Sequence, residues 1–450
     1  MTDTATKLRE TPINKLFFQY LVPSVFGMLL MSINIVLDGI FVSRGVGPNG
    51  LAAINISIPA FSLILAISLW IGTGGATIYS MSLGRGELAY ARSVFSQSIL
   101  FCILLTGVLM GACLWKVDEL AWFLGSNEVI LPYVMDYLPV LLIFGIVFVL
   151  ENVLSVFVRN DGNPNLAMAA LAVTAGLNII LDYIYIFIYG WGVKGAAYAT
   201  VISAGIGIFV LLAHFFRKSS TLKWGASRFQ CKTLQQILII GFPGFTAEMT
   251  AAVVTIGLNV TFMRWSGETG VAAYSIVNYI HALVLLVFIG VGGALQPIAS
   301  FHYGARLYDR LQKCLRLSVQ TAMIIGLFAV VIGWRFPDPL AAVFGVKSQE
   351  LYELTVKGIA IFFINYLFLG FNIVYGTFYQ SVGQVKRSLI IIIGRGILFV
   401  LPLLWILPPW FGVNGIWLTI PVAEVLTALM VLGMNYLRHP VYPLRRESKA

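Results

Sequence analysis

Two aspartates, Asp38 and Asp182, sit inside stretches otherwise apolar enough to cross a bilayer. An ionised carboxylate in hydrocarbon costs about 3 kcal/mol or more, so each needs a partner, water or a cation. Asn178 and Asp182 lie four residues apart and share one helical face. Counting about 1.5 Å per residue from the presumed membrane entry points brings Asp38, Asp182, Thr200 and Tyr137 into the outer half of the membrane. This depth permits one polar cluster of Asp38, Tyr137, Asn178, Asp182 and Thr200. Two acids sharing a desolvated site cannot both carry uncompensated charge, and a proton or a sodium ion would satisfy them. The structural alternatives are an Asp38 permanently bonded to neighbours such as Asn34, and an Asp182 that caps the outer interface. Pro23 lies on the same stretch as Asp38, Leu21 to Arg44, where it removes a backbone hydrogen bond and makes a bending point.

The second half offers Glu248, His281, Arg395 and Glu424, each near the middle of an apolar stretch. They either line a solute path or hold the second half together, Arg395 with an acid as an ion pair and His281 as a packing residue. Asn152 is a further candidate for the path, while its neighbour Glu151 falls in the inner half, away from the Asp38 cluster. The glycine-rich stretches at 72–75 and 290–293 lie within apolar spans, where small residues allow helices to approach; they are not phosphate loops. Cys102, Cys113, Cys231 and Cys314 show no paired spacing, so neither a disulfide nor a metal cluster is indicated. The histidines His214, His281, His302 and His439 are scattered, which argues against a membrane-embedded enzyme.

The elements that position these residues follow from composition. The 450 residues are 59% hydrophobic and 11% charged, against about 25% charged in soluble proteins, which predicts an all-α polytopic membrane protein. Spans are expected at 16–43, 52–80, 93–115, 129–158, 165–190, 196–216, 235–263, 271–299, 314–336, 353–381, 388–408 and 412–437, twelve helices in all. The polar start and the length of the first apolar run predict no cleaved signal peptide. Most of the 29 Lys and Arg fall in loops on one side, which the positive-inside rule makes cytoplasmic, together with both termini. Topology therefore accounts for the net charge of +10, and nucleic acid is not implied.

A constant shift of 220 residues superposes the two halves: Pro23 on Pro243, Arg44 on Arg264, Gly72 on Gly292, Ser80 on Ser300 and Gly84 on Gly304. Six helices separate the matched positions, so the repeats are parallel and form two pseudo-symmetric six-helix lobes with a solute cleft between them. The expected division is a first lobe at 1–216, a cytoplasmic linker at 217–234, a second lobe at 235–437 and a tail at 438–450. Asp38 falls on Leu258 and Asp182 on Pro402, so the acid pair belongs to the first lobe alone.

The segments GTGGATIYSMSLGRGELAYAR, its repeat partner GGALQPIASFHYGAR, the RNDGNP turn, and LNIILDYIYIFIYGWGVKGAAYAT resemble the multidrug and toxic compound extrusion (MATE) family, in particular its DinF-like and MepA-like prokaryotic branch. The resemblance covers essentially the whole chain. It implies a secondary antiporter of the prokaryotic plasma (inner) membrane that exports small amphipathic organic cations for protons, or for sodium at Asp38, Asn178, Asp182 and Thr200. It further implies a helix 1 that bends at Pro23, no cofactor and no enzymatic activity. A monomer with two lobes would complete the pathway by itself. The alternative within the superfamily is a lipid or oligosaccharide flippase. The chain departs from the NorM-like branch, whose second-lobe acids lie on helices 7 and 10: here helix 10 has no carboxylate in its core.

Overall fold

The computed structural model describes residues 3–225, 230–345 and 348–436, so Arg228 of the expected linker and the expected tail lie outside the described residues. Among the described residues every regular element is helical. A short helix, Asp3–Glu10, precedes the spans. The spans are α1 (Ile13–Gly45), α2 (Pro48–Arg85), α3 (Leu88–Trp115), α4 (Leu131–Ile143 and Gly145–Asn160), α5 (Pro164–Asp182) and α6 (Gly192–Leu212). A single run, Cys231–Gly304, supplies α7 and α8; at about 1.5 Å per residue its 74 residues would exceed three bilayer cores. It breaks at Gly267, with φ 59° and ψ −151°, into 231–266 and 268–304. Then follow α9 (Tyr308–Arg335), α10 (Gln349–Ser381), α11 (Val385–Phe411) and α12 (Val413–Tyr436). Ten of these helices are individually long and apolar enough to span a membrane; the bent α4 is an eleventh, and dividing the long run at Gly267 gives twelve.

Two local features were not expected. Helix α4 bends by 49° between its pieces, where Phe144 leaves helical geometry between Pro139, which lacks a donor, and Gly145. Helix α11 contains a π turn, Gly394–Leu398 around Arg395, and α5 runs directly into another, Tyr183–Ile188, after Asp182. Such turns widen a helix and re-aim the side chains beside them. Helix α1 continues as one helix through Pro23.

The lobes meet along α2, α7 and α8 at the end of the bundle that carries the inter-lobe linker. Backbones touch there: a methyl built on Gly241 would lie 1.6 Å from the Trp70 carbonyl oxygen, and one on Gly74 2.1 Å from that of Ile237. Gly84 and Gly304, equivalent in the repeat, do the same reciprocally, 2.2 Å from Phe301 O and 2.1 Å from Met81 O. This is small-residue packing between membrane helices. Two amides in matching repeat positions cross the seam. Asn160 Nδ2 donates to Gln296 Oε1 at 2.9 Å, and Gln380 Nε2 donates to Thr73 Oγ1 at 3.0 Å.

At the same end the buried Asp161 carboxylate gathers the linker. It accepts from Tyr79 OH (2.9 Å), the Thr221 amide (2.8 Å) and hydroxyl, the Leu222 amide (3.2 Å) and His214 Nε2 (2.8 Å). Asn163 Nδ2 donates to His214 Nδ1 at 3.2 Å, which leaves the Nε2 proton for Asp161. The start of the linker is thus fixed to the first lobe by a fully satisfied buried carboxylate.

Candidate functional site

The first-lobe cluster lies toward the opposite end of the bundle. Helix α1 brings Asp38 and the last turn of α5 brings Asp182, close enough for each carboxyl group to feel the other. Both oxygens of Asp182 and Oδ1 of Asp38 have no hydrogen-bond partner among the described residues. Asp182 and Asn178 are each 1% exposed. The Tyr137 phenol, on the first piece of α4, stands close enough to feel the charge of both acids. One turn inward along α5, Asn178 accepts from Asn34 Nδ2 and donates to Thr200 Oγ1 at 3.4 Å. Thr200 donates its own proton to Ala196 O at 2.9 Å. The five residues expected to share a level therefore share one site, and Asn34 bonds to Asn178.

A separate apolar cluster walls this site. Val42, Tyr137, Val140, Leu141, Ile186, Val193, Ala196, Ala197 and Val201 come from the same four helices and form a small core distinct from the main one. Water is thereby kept from one side of the acids, and a desolvated carboxyl pair interacts with cations far more strongly than an exposed one.

The α5 face continues inward. Thr174, one turn before Asn178, donates to Glu151 Oε1 at 2.5 Å, and the bare Gly207 leaves room for that carboxyl, since a methyl there would sit 2.3 Å from Oε1. Thr174 was legible as the next member of a four-residue spacing, 174, 178, 182, and sequence reasoning passed over it. Asn152 points an unpartnered Oδ1 into buried surroundings.

The second-lobe candidates divide. Arg395 Nε and Nη2 reach Glu424 Oε1 at 3.1 and 2.9 Å, and Asn372 Nδ2 donates to Glu424 Oε2 at 2.7 Å. This carboxylate is 3% exposed in its side chain and is neutralised by a tethered cation. His281 stacks on Tyr366 with ring centroids 5.7 Å apart and contacts its hydroxyl at 3.2 Å. Glu248 stands apart from that pair and meets Ser62 of α2 across the lobe boundary.

A family profile matches the chain twice, at residues 23–184 and 243–406, and the two matches begin one repeat apart. The chain belongs to the MatE family. Multidrug export protein MepA of Staphylococcus saprophyticus is 25% identical over 430 residues, 95% of this chain and 94% of that protein. MepA of Staphylococcus aureus strain MSSA476 is 24% identical over the same shares. Among solved structures, a MOP superfamily transporter from Pyrococcus furiosus, described as having a binding pocket of reversed polarity, aligns with a TM-score of 0.91 over 97% of this chain and 98% of that one, at 24% identity. The expected fold, twelve helices in two six-helix lobes, is borne out, and this MatE protein is a multi-pass membrane protein.

Proposed function

We propose that this MatE protein is a secondary antiporter that exports bulky organic cations in exchange for protons, with sodium as the alternative ion. The observation that carries this reading is the Asp38 and Asp182 pair: a buried carboxyl group beside a half-buried one, with no basic partner among the described residues and with three buried oxygens free to hold an ion. Such a pair takes up a cation from whichever side it faces and must lose it before it can be reset. The relatives named multidrug export proteins support the same reading.

The lobes are packed together at the linker face, which the distribution of Lys and Arg makes cytoplasmic, and the acid pair lies near the other end. In this arrangement the cleft faces outward. Cation uptake at Asp38 and Asp182 shifts α1, with Pro23 as its weak point; the lobes then part at the Gly84 and Gly304 contact to admit a new substrate from inside. One charge moving down 100 mV supplies about 2.3 kcal/mol before any pH gradient is added. The protein lies in a prokaryotic plasma membrane with both termini inside, as a monomer divided at 1–216, 217–234, 235–437 and 438–450. A flippase would need a free cation for phosphate, and Arg395 is committed to Glu424.

Everted vesicles, with the cytoplasmic face outward, test this by their uptake of ethidium from the bath, the direction of export. Imposed proton and sodium gradients should drive this transport unequally, and Asp38→Asn should abolish the driven component without loss of folded protein. Efflux by Asp38→Asn at the wild-type rate would reject the assignment.

A further inference from the structure

The short helix Asp3–Glu10 lies on the linker face and touches both lobes. On one side the Thr4 hydroxyl reaches the carbonyl oxygens of Asp161 and Ser219, each at 3.3 Å. Gly162 lies directly beneath: its φ is 86°, and a methyl on it would come within 2.8 Å of Thr4 Cγ2. On the other side Arg310, in the first turn of α9, donates from Nη2 to the carbonyl oxygens of Leu8 (3.3 Å) and Thr11. Those carbonyls close the helix, where unpaired acceptors and the negative end of the helix dipole favour a cation. Arg310 is itself aimed: its Nε donates to His302 Nε2 at 3.0 Å, and His302 Nδ1 donates to Ile298 O at 2.8 Å, so Nε2 keeps its lone pair for the arginine. Ala5 and Leu8 are buried in the main core. Only Thr11 and Pro12 separate this helix from α1, which carries Asp38.

One segment is therefore bonded to Asp161 of the first lobe, to Ser219 of the linker start that Asp161 fixes, and to Arg310 of the second lobe, across the seam that the glycine contacts close. We propose that the N-terminal helix is a latch that holds the lobes shut on the cytoplasmic face and must release one of them before the cleft opens inward. The inference rests on the alternating-access reading above. The lobes cannot separate at this end while both sets of bonds persist. Arg310 acts as a charge-assisted clamp on main-chain acceptors, and such bonds are stronger than those between neutral groups.

The test reads opening and transport separately. In a chain whose four cysteines are replaced by serine, Ser300→Cys places one thiol in the closed seam, where Ser300 is fully buried. Everted vesicles expose the cytoplasmic face to a membrane-impermeant maleimide while export is followed as ethidium uptake into the lumen. Arg310→Gln, and separately a chain shortened to begin just before Thr11, should each speed labelling about tenfold, equivalent to about 1.4 kcal/mol less hold on the closed form. The truncation leaves every span intact, so it decides the matter if Arg310→Gln does not fold. Labelling of the intact chain during efflux, at a rate unchanged in the variants, would overturn the latch alone. No labelling in any of the three while efflux proceeds would overturn alternating access, and the latch with it.

Discussion

The two lobes share one backbone plan and handle buried charge in opposite ways. In the second, Glu424 has a fixed cation in Arg395 and an amide in Asn372. In the first, Ala204 stands where Glu424 would be and Ala175 where Arg395 would be, so Asn152, the repeat equivalent of Asn372, has no such carboxylate to donate to. The first lobe has instead gained Asp38 and Asp182 where the second has Leu258 and Pro402. A carboxylate neutralised by a side chain on its own scaffold has no use for a mobile ion. A pair without such a side chain can take its counter-charge from solution, which is why the proposed exchange is assigned to the first lobe.

The largest expected effect breaks the fixed pair. Glu424→Gln strands the Arg395 guanidinium in a mostly buried site, and removing one partner of a buried pair costs about 3 kcal/mol or more. A fall in thermal midpoint in detergent, with little folded protein recovered, is expected; the double change Glu424→Gln with Arg395→Met should restore folding. Next comes Asp182→Asn. It removes a charge that no described residue neutralises, so the thermal midpoint should hold or rise, while ion-driven ethidium efflux drops by about 100-fold. Should Asp182→Asn unfold the protein as Glu424→Gln does, the contrast between the lobes is lost.

A smaller effect is expected at Asn34. Asn34→Ala leaves the Asn178 carbonyl oxygen without its donor in a buried site, a penalty of about 1 to 3 kcal/mol shared between stability and ion binding. Efflux at saturating ion should stay within about threefold of wild type, while the ion concentration for half-maximal rate rises about tenfold. A change confined to the maximal rate would mean that Asn178 is not oriented by Asn34.

What sequence could foresee is set by how local the physics is. The acid cluster was legible because depth along a helix and a spacing of four follow from helix geometry alone, and the repeat because Pro23, Gly84 and Arg44 answer to backbone and interface demands that both halves face. The partner of Asn34 was not legible: it reaches a different helix, and only packing decides between Asp38, one turn away, and Asn178 on α5. For the same reason Glu248 could be grouped with Arg395 by depth, although it faces Ser62 of the other lobe. The break in α4 required the knowledge that Pro139 and Gly145 act together around Phe144, when either alone is tolerated in a membrane helix.

The smallest expected effect separates the two candidate ions. The Thr200 hydroxyl gives its proton to Ala196 O within its own helix and accepts only a long 3.4 Å bond from Asn178, so its remaining lone pair is free to ligate. If the coupling ion is a proton, which is carried on a carboxyl oxygen, that lone pair is idle, and Thr200→Val should change proton-driven efflux by less than about twofold, because only a weak neutral bond is lost. If the ion is sodium, a hard cation that is bound through several oxygens at once, Thr200 Oγ is one of few oxygens available beside Asp38, Asp182 and Asn178. Thr200→Val should then weaken sodium dependence about tenfold while Thr200→Ser restores it. Equal responses of valine and serine under a sodium gradient would remove Thr200 from the ion site and leave the carboxyl pair to act through a proton.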